Sequence, residues 1–188
     1  MICGAVLAAG GARRFGAPKQ LAPLHGRPLL EHALATLAGV PLDARAVVLG
    51  AHRERIAGAV DLHGLEVVPC AAWEEGIAAS LRAAVQWARA RDASALVLTL
   101  GDQPRVGPSA VQRVLAQRGS APAVRAVYDG RPGHPVLTEH ELFDALLELH
   151  GDEGGRVLLA ARGCRTVECG DVARAEDVDE PGDLAALA

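Results

Sequence analysis

The sequence predicts a single-domain α/β protein with a Rossmann-like, doubly wound and mostly parallel sheet. Apolar runs alternate with helical patterns along all 188 residues, and this order is typical of parallel strands connected by helices. Most of the apolar runs have no polar face, as expected for strands that are buried on both sides. The length is that of one ordinary domain, and no repeat or linker-like stretch divides residues 1–188.

The predicted elements follow one another in a regular order. The first strand is expected at residues 2–8, because this apolar run leads directly into glycines and lacks the basic segment of a signal peptide. The other strands are expected at 44–49, 65–69, 95–100, 121–128 and around 166–168. Helices are expected at 28–37, 53–60, 75–91, 109–117, 139–149, 153–161 and after Pro181. Ligands of such sheets bind beyond the carboxyl ends of the strands, so we expect a site in the loops after residues 8, 49, 69 and 100.

Composition excludes several classes of partner. The net charge of −4 argues against a nucleic-acid surface, which needs a basic excess. No apolar run approaches the ~18 residues that span a bilayer. The four cysteines have no C-x-x-C spacing and no export signal precedes them, so we expect reduced thiols in a cytoplasmic protein.

The loop LAAGGARRFGAPK, residues 7–19, has the composition of a phosphate-binding loop. Its glycines lower the barrier to positive φ and let backbone N–H groups approach an anion; they are Gly10, Gly11 and Gly16. The dinucleotide spacing G-x-G-x-x-G is not met, and a P-loop would need lysine directly after Gly16, where Ala17 stands. The loop is therefore expected to bind a polyphosphate without being either of these motifs.

Three cations lie in the same loop: Arg13, Arg14 and Lys19. Lys19 is the only lysine among 19 basic residues. Two explanations stay open: an arginine-rich composition that leaves one lysine anywhere, or a position that needs a compact point charge rather than a planar fork.

Two acidic segments are candidates for a metal site. Asp102 follows the predicted strand 95–100 in the sequence G-D-Q-P, and Mg²⁺ usually takes one or two protein carboxylates together with phosphate oxygens. A local turn would also account for this aspartate. The C-terminal stretch DVDEPGDL offers a second ligand, either Asp177 or Asp179. Asp183 is expected instead to stabilise the N-terminus of the last helix, which begins near Pro181.

These segments resemble the molybdenum cofactor cytidylyltransferases, a branch of the MobA-like NTP transferases. Residues 7–19 are similar to the family's L-A-A-G-x-x-x-R-x-G-x-x-K, and residues 70–81 to its N-x-x-W-x-x-G-[MI]-x-x-S-L. G-D-Q-P, Gly133-His134-Pro135, GDEGGR at 151–156 and the C-terminal D-x-D pattern follow in the family's order. Cys70 and Glu180 depart from the pattern, since the family has asparagine and threonine there.

The resemblance implies roles for individual residues. It makes Arg14, Lys19 and Asp102 catalytic, and it makes Asp102 and Asp179 ligands of Mg²⁺. It assigns the nucleotide to Leu7, Ala8, Ala9, Gly10, Gly11, Arg14, Lys19, Cys70, Gly76, Ser80 and Asp102. It places the acceptor at His134 and Arg156, although a lone histidine is often structural and an arginine stem often covers a helix face.

The implied reaction transfers CMP from CTP to the phosphate of a molybdopterin-type cofactor and releases pyrophosphate. The implied protein partner is a molybdoenzyme or its maturation chaperone. CTP rather than GTP rests on Ala9 and Gln103, where the guanylyltransferase branch differs. A guanylyltransferase, a transferase with another phosphorylated acceptor, and a non-catalytic maturation factor stay open. A dinucleotide-dependent oxidoreductase is disfavoured by the glycine spacing.

Overall fold

A seven-stranded sheet with helices on both faces forms the centre of the computed structural model, which describes residues 1–12 and 14–187. Arg13, one of the three predicted loop cations, lies outside the described residues. The strands are β1 (Ile2–Leu7), β2 (Pro23–Leu24), β3 (Arg27–Pro28), β4 (Ala44–Leu49), β5 (Glu66–Pro69), β6 (Ala95–Leu100), β7 (Ala123–Tyr128), β8 (Arg131–Glu139) and β9 (Cys164–Glu168). The helices are α1 (Leu29–Ala38), α2 (Arg53–Ala57), α3 (Ile77–Arg89), α4 (Pro108–Leu115), α5 (Phe143–Leu147), α6 (Arg156–Arg162) and α7 (Pro181–Leu187).

The strand order confirms the predicted doubly wound fold. It is β5-β4-β1-β6-β8-β7-β9, with β2 and β3 forming a separate hairpin. All strand pairs of the large sheet are parallel except the two that β8 makes with β6 and β7. The chain winds outward from β1 to β5 and then returns to β6 on the other side of β1. This reversal of direction between β1 and β6 is where such sheets bind ligands.

Alternating side chains of the strands fill two cores, one on each face of the sheet. On one face Val6 packs with Leu34 of α1 and Val111 of α4. On the other, Leu7 packs with Val85 of α3 and Phe143 of α5. Because β1 is buried on both faces, its backbone is fixed, and the loop that follows it begins from a rigid position.

The main error of the sequence prediction concerns β8. The predicted strands do not include residues 131–138, and residues 139–149 are predicted to form one helix. The structure instead continues β8 to Glu139, followed by a 3₁₀ turn at His140–Leu142 and the short helix α5. Two prolines and a glycine in RPGHPVLTE hide a strand, and a register shift between Arg125 and Val127 accommodates them in the ladder.

Other boundaries moved by a few residues. The predicted helix 75–91 is a 3₁₀ turn at Trp73–Glu75 followed by α3, and the two are separated by Gly76, whose φ is +118°. The predicted helices 53–60 and 153–161 are shorter or shifted in α2 and α6, whereas the terminal helix begins at Pro181 as predicted. Among the described residues, no helix is both long and apolar enough to cross a membrane.

Candidate active site

The loops after β1 and β6 meet at the point where the sheet reverses direction. Leu7 and Leu100, the last residues of these strands, are register partners. A Cβ at Gly101 would lie 2.9 Å from the Cβ of Ala8, so only glycine lets the loops approach this closely. Between them opens a cavity of about 480 Å³, which we call the main cleft, a size typical of ligand sites. The main cleft is lined by Leu7, Ala8, Ala9, Gly10, Gly11, Ala12, Arg14, Lys19, Gln20, Trp73, Glu74, Gly76, Ile77, Ser80, Leu100, Gly101, Asp102, Asp152 and Asp179.

Lys19 and Asp102, predicted to share a site although 83 positions apart, are in contact. The Lys19 Nζ donates to Asp102 Oδ2 at 2.8 Å, to the Val178 carbonyl oxygen at 2.7 Å and to Asp179 Oδ1 at 3.1 Å. These bonds use all three ammonium donors. Burial opposes the charged form, but attraction and hydrogen bonding from Asp102, joined by Asp179, outweigh it, so the pKa of Lys19 is raised. Lys19 therefore carries a positive charge in the cleft at neutral pH.

The C-terminal segment brings Asp179, rather than Asp177, to the main cleft. Arg14 Nη2 donates to Asp179 Oδ2 at 2.9 Å, so Asp179 bridges Arg14 and Lys19. Asp177 accepts a hydrogen bond of 2.8 Å from Gln103 Nε2 and is not part of the cleft lining. Burial raises the pKa of Asp177, and the hydrogen bond from Gln103, which lowers it, only partly offsets this shift.

The Asp183 carboxylate binds backbone N–H groups at the start of α7, the helix terminus that it was predicted to stabilise. Its Oδ2 accepts from the backbone N–H groups of Asp179 at 2.9 Å and Glu180 at 2.8 Å. The hydrogen bonds from the Glu180 and Asp179 N–H groups lower the pKa of Asp183, and the bond from Glu180 has the larger effect. Asp183 thus fixes the backbone that carries Asp179.

The glycine-rich loop presents free N–H groups to the main cleft. Gln20 Nε2 donates to the carbonyl oxygens of Ala8 and Gly10, both at 3.0 Å, and the Ala51 N–H donates to that of Ala9 at 3.0 Å. The carbonyl oxygens of the loop thus have hydrogen-bond partners. The N–H groups of residues 10–12, by contrast, make no hydrogen bond to another described residue. Free N–H groups beside cations are a suitable environment for phosphate oxygens.

The carboxylates of the cleft fit a divalent cation. Asp102 Oδ1 is buried and has no hydrogen-bond partner among residues 1–12 and 14–187, and a buried carboxylate oxygen ordinarily has one. No group of three or more potential metal-ligating side chains occurs in the described part of the chain. Two carboxylates completed by phosphate oxygens and water are the usual environment of Mg²⁺, which needs no cage of protein ligands.

The predicted nucleoside side is only partly assembled at the cleft. Gly76 and Ser80 line it, but Cys70 does not and lies on a shallow pocket near Gly50. Burial raises the pKa of the Cys70 thiol, against a hydrogen bond with Ser80. Gln103, one basis for preferring CTP, is bonded to Asp177 and is likewise absent from the lining.

The predicted acceptor residues line a second cavity that adjoins the first. We call this cavity of about 180 Å³ the side cavity; it is lined by Leu7, Ile77, Leu81, Leu98, Leu100, Arg125, His134, Val136, Thr138, Leu146, Gly154, Gly155, Arg156 and Leu159. Burial lowers the pKa of His134 to about 4, and the charge of Arg125 contributes. His134 and Arg156 are thus close to the main cleft without being part of it, because Leu7, Ile77 and Leu100 line both spaces.

Gln20, Asp152 and Arg125 are among the lining residues that sequence reasoning missed. Gln20 directly follows Lys19, the only lysine of the sequence, and this position could have marked it as a residue of the site. Asp152 lies in the GDEGGR segment and reaches the main cleft because its loop packs on Gly76, where a Cβ would come within 2.5 Å of the Gly151 carbonyl oxygen. Arg125 is one arginine among many in the sequence, and nothing in its surroundings there distinguishes it.

The fold and the main cleft define an α/β protein of the nucleotidyltransferase-like Rossmann type. The model of the MobA-like NTP transferase domain matches residues 4–167. The chain belongs to the MobA-like NTP transferase family, as its motifs predicted.

Two relatives carry different names. The nicotine blue oxidoreductase of Paenarthrobacter nicotinovorans is 30% identical over 95% of this chain and 92% of its own length. The molybdenum cofactor guanylyltransferase of Rhodobacter capsulatus is 38% identical over 65% of this chain and 60% of its own length.

Solved structures agree with the fold. A homologue of Mycobacterium tuberculosis Rv0371c from Mycobacterium sp. strain JC1 is 37% identical with a TM-score of 0.86, covering 99% of this chain and 96% of that one. Rv0371c of Mycobacterium tuberculosis H37Rv in complex with manganese is 31% identical with a TM-score of 0.79, covering 99% and 97%. A divalent metal is therefore compatible with this architecture.

Proposed function

We propose that this chain is a nucleotidylyltransferase that transfers CMP from CTP to the phosphate of a molybdopterin-type cofactor and releases pyrophosphate. The observation that carries the proposal is the contact of Lys19 with both Asp102 and Asp179 at the glycine-rich loop. An ammonium group, two carboxylates and free N–H groups at one cleft are the set of groups that a metal-bound triphosphate needs.

Each group has a distinct role in the proposed reaction. The N–H groups of the loop, Arg14 and Lys19 bind the triphosphate and neutralise its charge, while Asp102 and Asp179 hold Mg²⁺. Bound Mg²⁺ would supply Lewis-acid charge neutralisation at the phosphates. Lys19 and Arg14 leave their present carboxylate partners at least in part when phosphate oxygens are offered to them.

The proposed chemistry requires no general base. An oxygen of the acceptor phosphate forms a bond to the α-phosphorus in line with the bond between that phosphorus and the bridging oxygen, which breaks as pyrophosphate leaves. The attacking phosphate is already ionised at neutral pH. Positioning and charge neutralisation then account for catalysis.

The choice of CTP rests on Ala9, which is buried and lines the main cleft. One methyl group beside a base discriminates only by about 1–3 kcal/mol. GTP is therefore the alternative donor, and the relative named as a molybdenum cofactor guanylyltransferase favours it. A non-catalytic maturation factor that serves a molybdoenzyme or its chaperone is a further alternative, against which the complete set of Lys19, Asp102 and Asp179 argues.

An oxidoreductase is the second candidate function. It is favoured by the relative named nicotine blue oxidoreductase, which is matched over nearly the whole chain. The glycine spacing of the first loop argues against it, because Gly10, Gly11 and Gly16 do not form the G-x-G-x-x-G fingerprint.

Pyrophosphate release separates these functions. The purified chain is incubated with Mg²⁺, a molybdopterin-type acceptor and CTP or GTP in turn. NADH oxidation is followed in a parallel reaction that contains nicotine blue, the compound in the relative's name, as the electron acceptor. We expect metal-dependent pyrophosphate release that needs the acceptor and is faster with CTP. Faster release with GTP would make the chain a guanylyltransferase, and NADH oxidation without pyrophosphate release would replace the proposal with the oxidoreductase.

A further inference from the structure

The side cavity has a chemistry of its own, and its interpretation rests on the proposed function. Aliphatic side chains of the sheet, α3 and α6 form most of its wall, including Leu81, Leu98 and Leu159. The ionisable groups of the lining are Arg125, His134 and Arg156, and no aspartate or glutamate occurs among the described lining residues. The cavity is thus apolar and, where charged, only positive.

Arg125 is the unusual member of this set. It extends from β7 at the register shift opposite the Gly133-His134-Pro135 segment of β8. Its Nε is buried without a hydrogen-bond partner among the described residues, and its Nη2 reaches only the Gly133 carbonyl oxygen, at 3.5 Å. Burial lowers the pKa of Arg125; the nearby Cys164 thiol opposes this shift, and the charge of Arg156 adds to it.

Arg125 is only partly buried, but its buried Nε has neither a carboxylate nor another acceptor, and leaving a charged donor group in this way is costly to the folded chain. The other two ionisable groups do not relieve this cost. His134 has a pKa of about 4, so it is neutral at pH 7, and Arg156 is exposed and adds a second positive charge at the edge of the cavity. The missing partner of Arg125 is therefore expected to be an anion that arrives with a ligand.

We propose that the side cavity binds a planar, ring-sized group of the acceptor that carries an anionic substituent, and that Arg125 binds this substituent and determines acceptor specificity. The size agrees, because a dry cavity of about 150 Å³ is enough for benzene and the side cavity measures about 180 Å³. The position agrees as well. Leu7, Ile77 and Leu100 line both the side cavity and the main cleft, so the two spaces adjoin. In the proposed arrangement the ring of the acceptor lies beside Arg125 and its reactive phosphate lies at the nucleotide.

Benzoate and benzamide are matched probes of this proposal, since they share a ring and a planar substituent and differ in charge. The chain is titrated with each probe by NMR, with no nucleotide or divalent metal present, and the methyl signals of Leu98 and Leu159 are followed. We expect benzoate to bind about tenfold more tightly than benzamide, as one charge-assisted hydrogen bond implies. Equal affinities, or benzoate binding that leaves these methyl signals unchanged, would overturn the proposal.

Two substitutions at Arg125 and one control refine the test. Arg125→Gln is expected to remove the preference for benzoate, and Arg125→Lys to retain part of it. The control Arg165→Gln changes an exposed arginine on the adjacent strand β9 and is expected to leave the preference as in the wild type. An unchanged preference in Arg125→Gln would contradict the proposal. If this variant fails to unfold cooperatively, the wild-type comparison of the two probes decides.

Failure of the anion site and failure of the proposed function give different results. Benzoate selectivity through Arg125 in a chain that releases no pyrophosphate would reject the nucleotidyltransferase and retain the anion site. Pyrophosphate release without benzoate selectivity would reject the anion site alone.

Discussion

The main cleft and the side cavity share three apolar residues but treat charge in opposite ways. In the main cleft, Lys19 and Arg14 are paired with Asp102 and Asp179. In the side cavity, Arg125 has no acidic neighbour among the described lining residues. The two spaces are therefore suited to different ligands. Paired charges can be redistributed over a ligand that brings both cations and anions, whereas an excess of positive charge needs a ligand that is only an anion.

The largest expected effect follows from removing one partner of the Lys19–Asp102 ion pair in the main cleft. Lys19→Ala and Asp102→Ala are each expected to lower turnover by about 10²–10³, the scale for losing one electrostatic contact in a transition state. The measurement is steady-state pyrophosphate release with Mg²⁺, CTP and acceptor. Arg89→Ala is the control, because Arg89 pairs with Asp144 at the exposed surface. Turnover close to that of the wild type in either cleft variant would contradict the assigned roles.

The main cleft was largely predictable because its residues lie in local motifs. Lys19 is the only lysine, and Asp102 directly follows a strongly apolar strand, so the order of elements sufficed to bring them to the same edge of the sheet. The preference for Asp179 over Asp177 as the second metal ligand depended on the resemblance alone, because both aspartates belong to the same D-x-D pattern. What separates the two is the hydrogen bond from Gln103 to Asp177, which is a tertiary contact.

The side cavity was not predictable in the same way. Its wall depends on β8, and Pro132, Gly133 and Pro135 give this strand none of the period-two alternation from which strands are inferred. Arg125 lies on a strand that was predicted, but it lies at the register shift between β7 and β8 and lines the side cavity there. Register irregularities and the space they leave are set by packing, and a single sequence does not encode them in a readable pattern.

A smaller effect separates the two C-terminal aspartates. Asp179→Asn is expected to raise the Mg²⁺ concentration for half-maximal activity by about tenfold, equivalent to about 1.4 kcal/mol, because it removes a carboxylate from the cleft. Asp177→Asn is the matched control and is expected to leave this concentration near that of the wild type, since Asp177 faces Gln103. The measurement is metal-dependent pyrophosphate release. A larger effect from Asp177→Asn would exchange the two roles.

A separate prediction concerns stability rather than activity, and it involves the side cavity. His134 has an ordinary pKa of 6.5 when unfolded and about 4 when folded, so the unfolded chain binds more protons between these values. The free energy of unfolding should therefore fall as pH falls from 6.5 to 4, with His134 contributing at most about 1.4 kcal/mol per pH unit. His134→Asn should show a shallower decline in urea unfolding than the wild type. An equal decline in both would show that burial of His134 does not affect acid stability.

The central claim is that Lys19 and a metal held by Asp102 bind one triphosphate together. Thermal unfolding of the wild type and of Asp102→Ala, with CTP alone, Mg²⁺ alone and both, tests it most directly. At a ligand concentration of about 100 times Kd, the wild type should gain about 2.7 kcal/mol only when CTP and Mg²⁺ are both present, and Asp102→Ala should lose this gain. An equal gain without divalent metal, or an undiminished gain in Asp102→Ala, would contradict the claim.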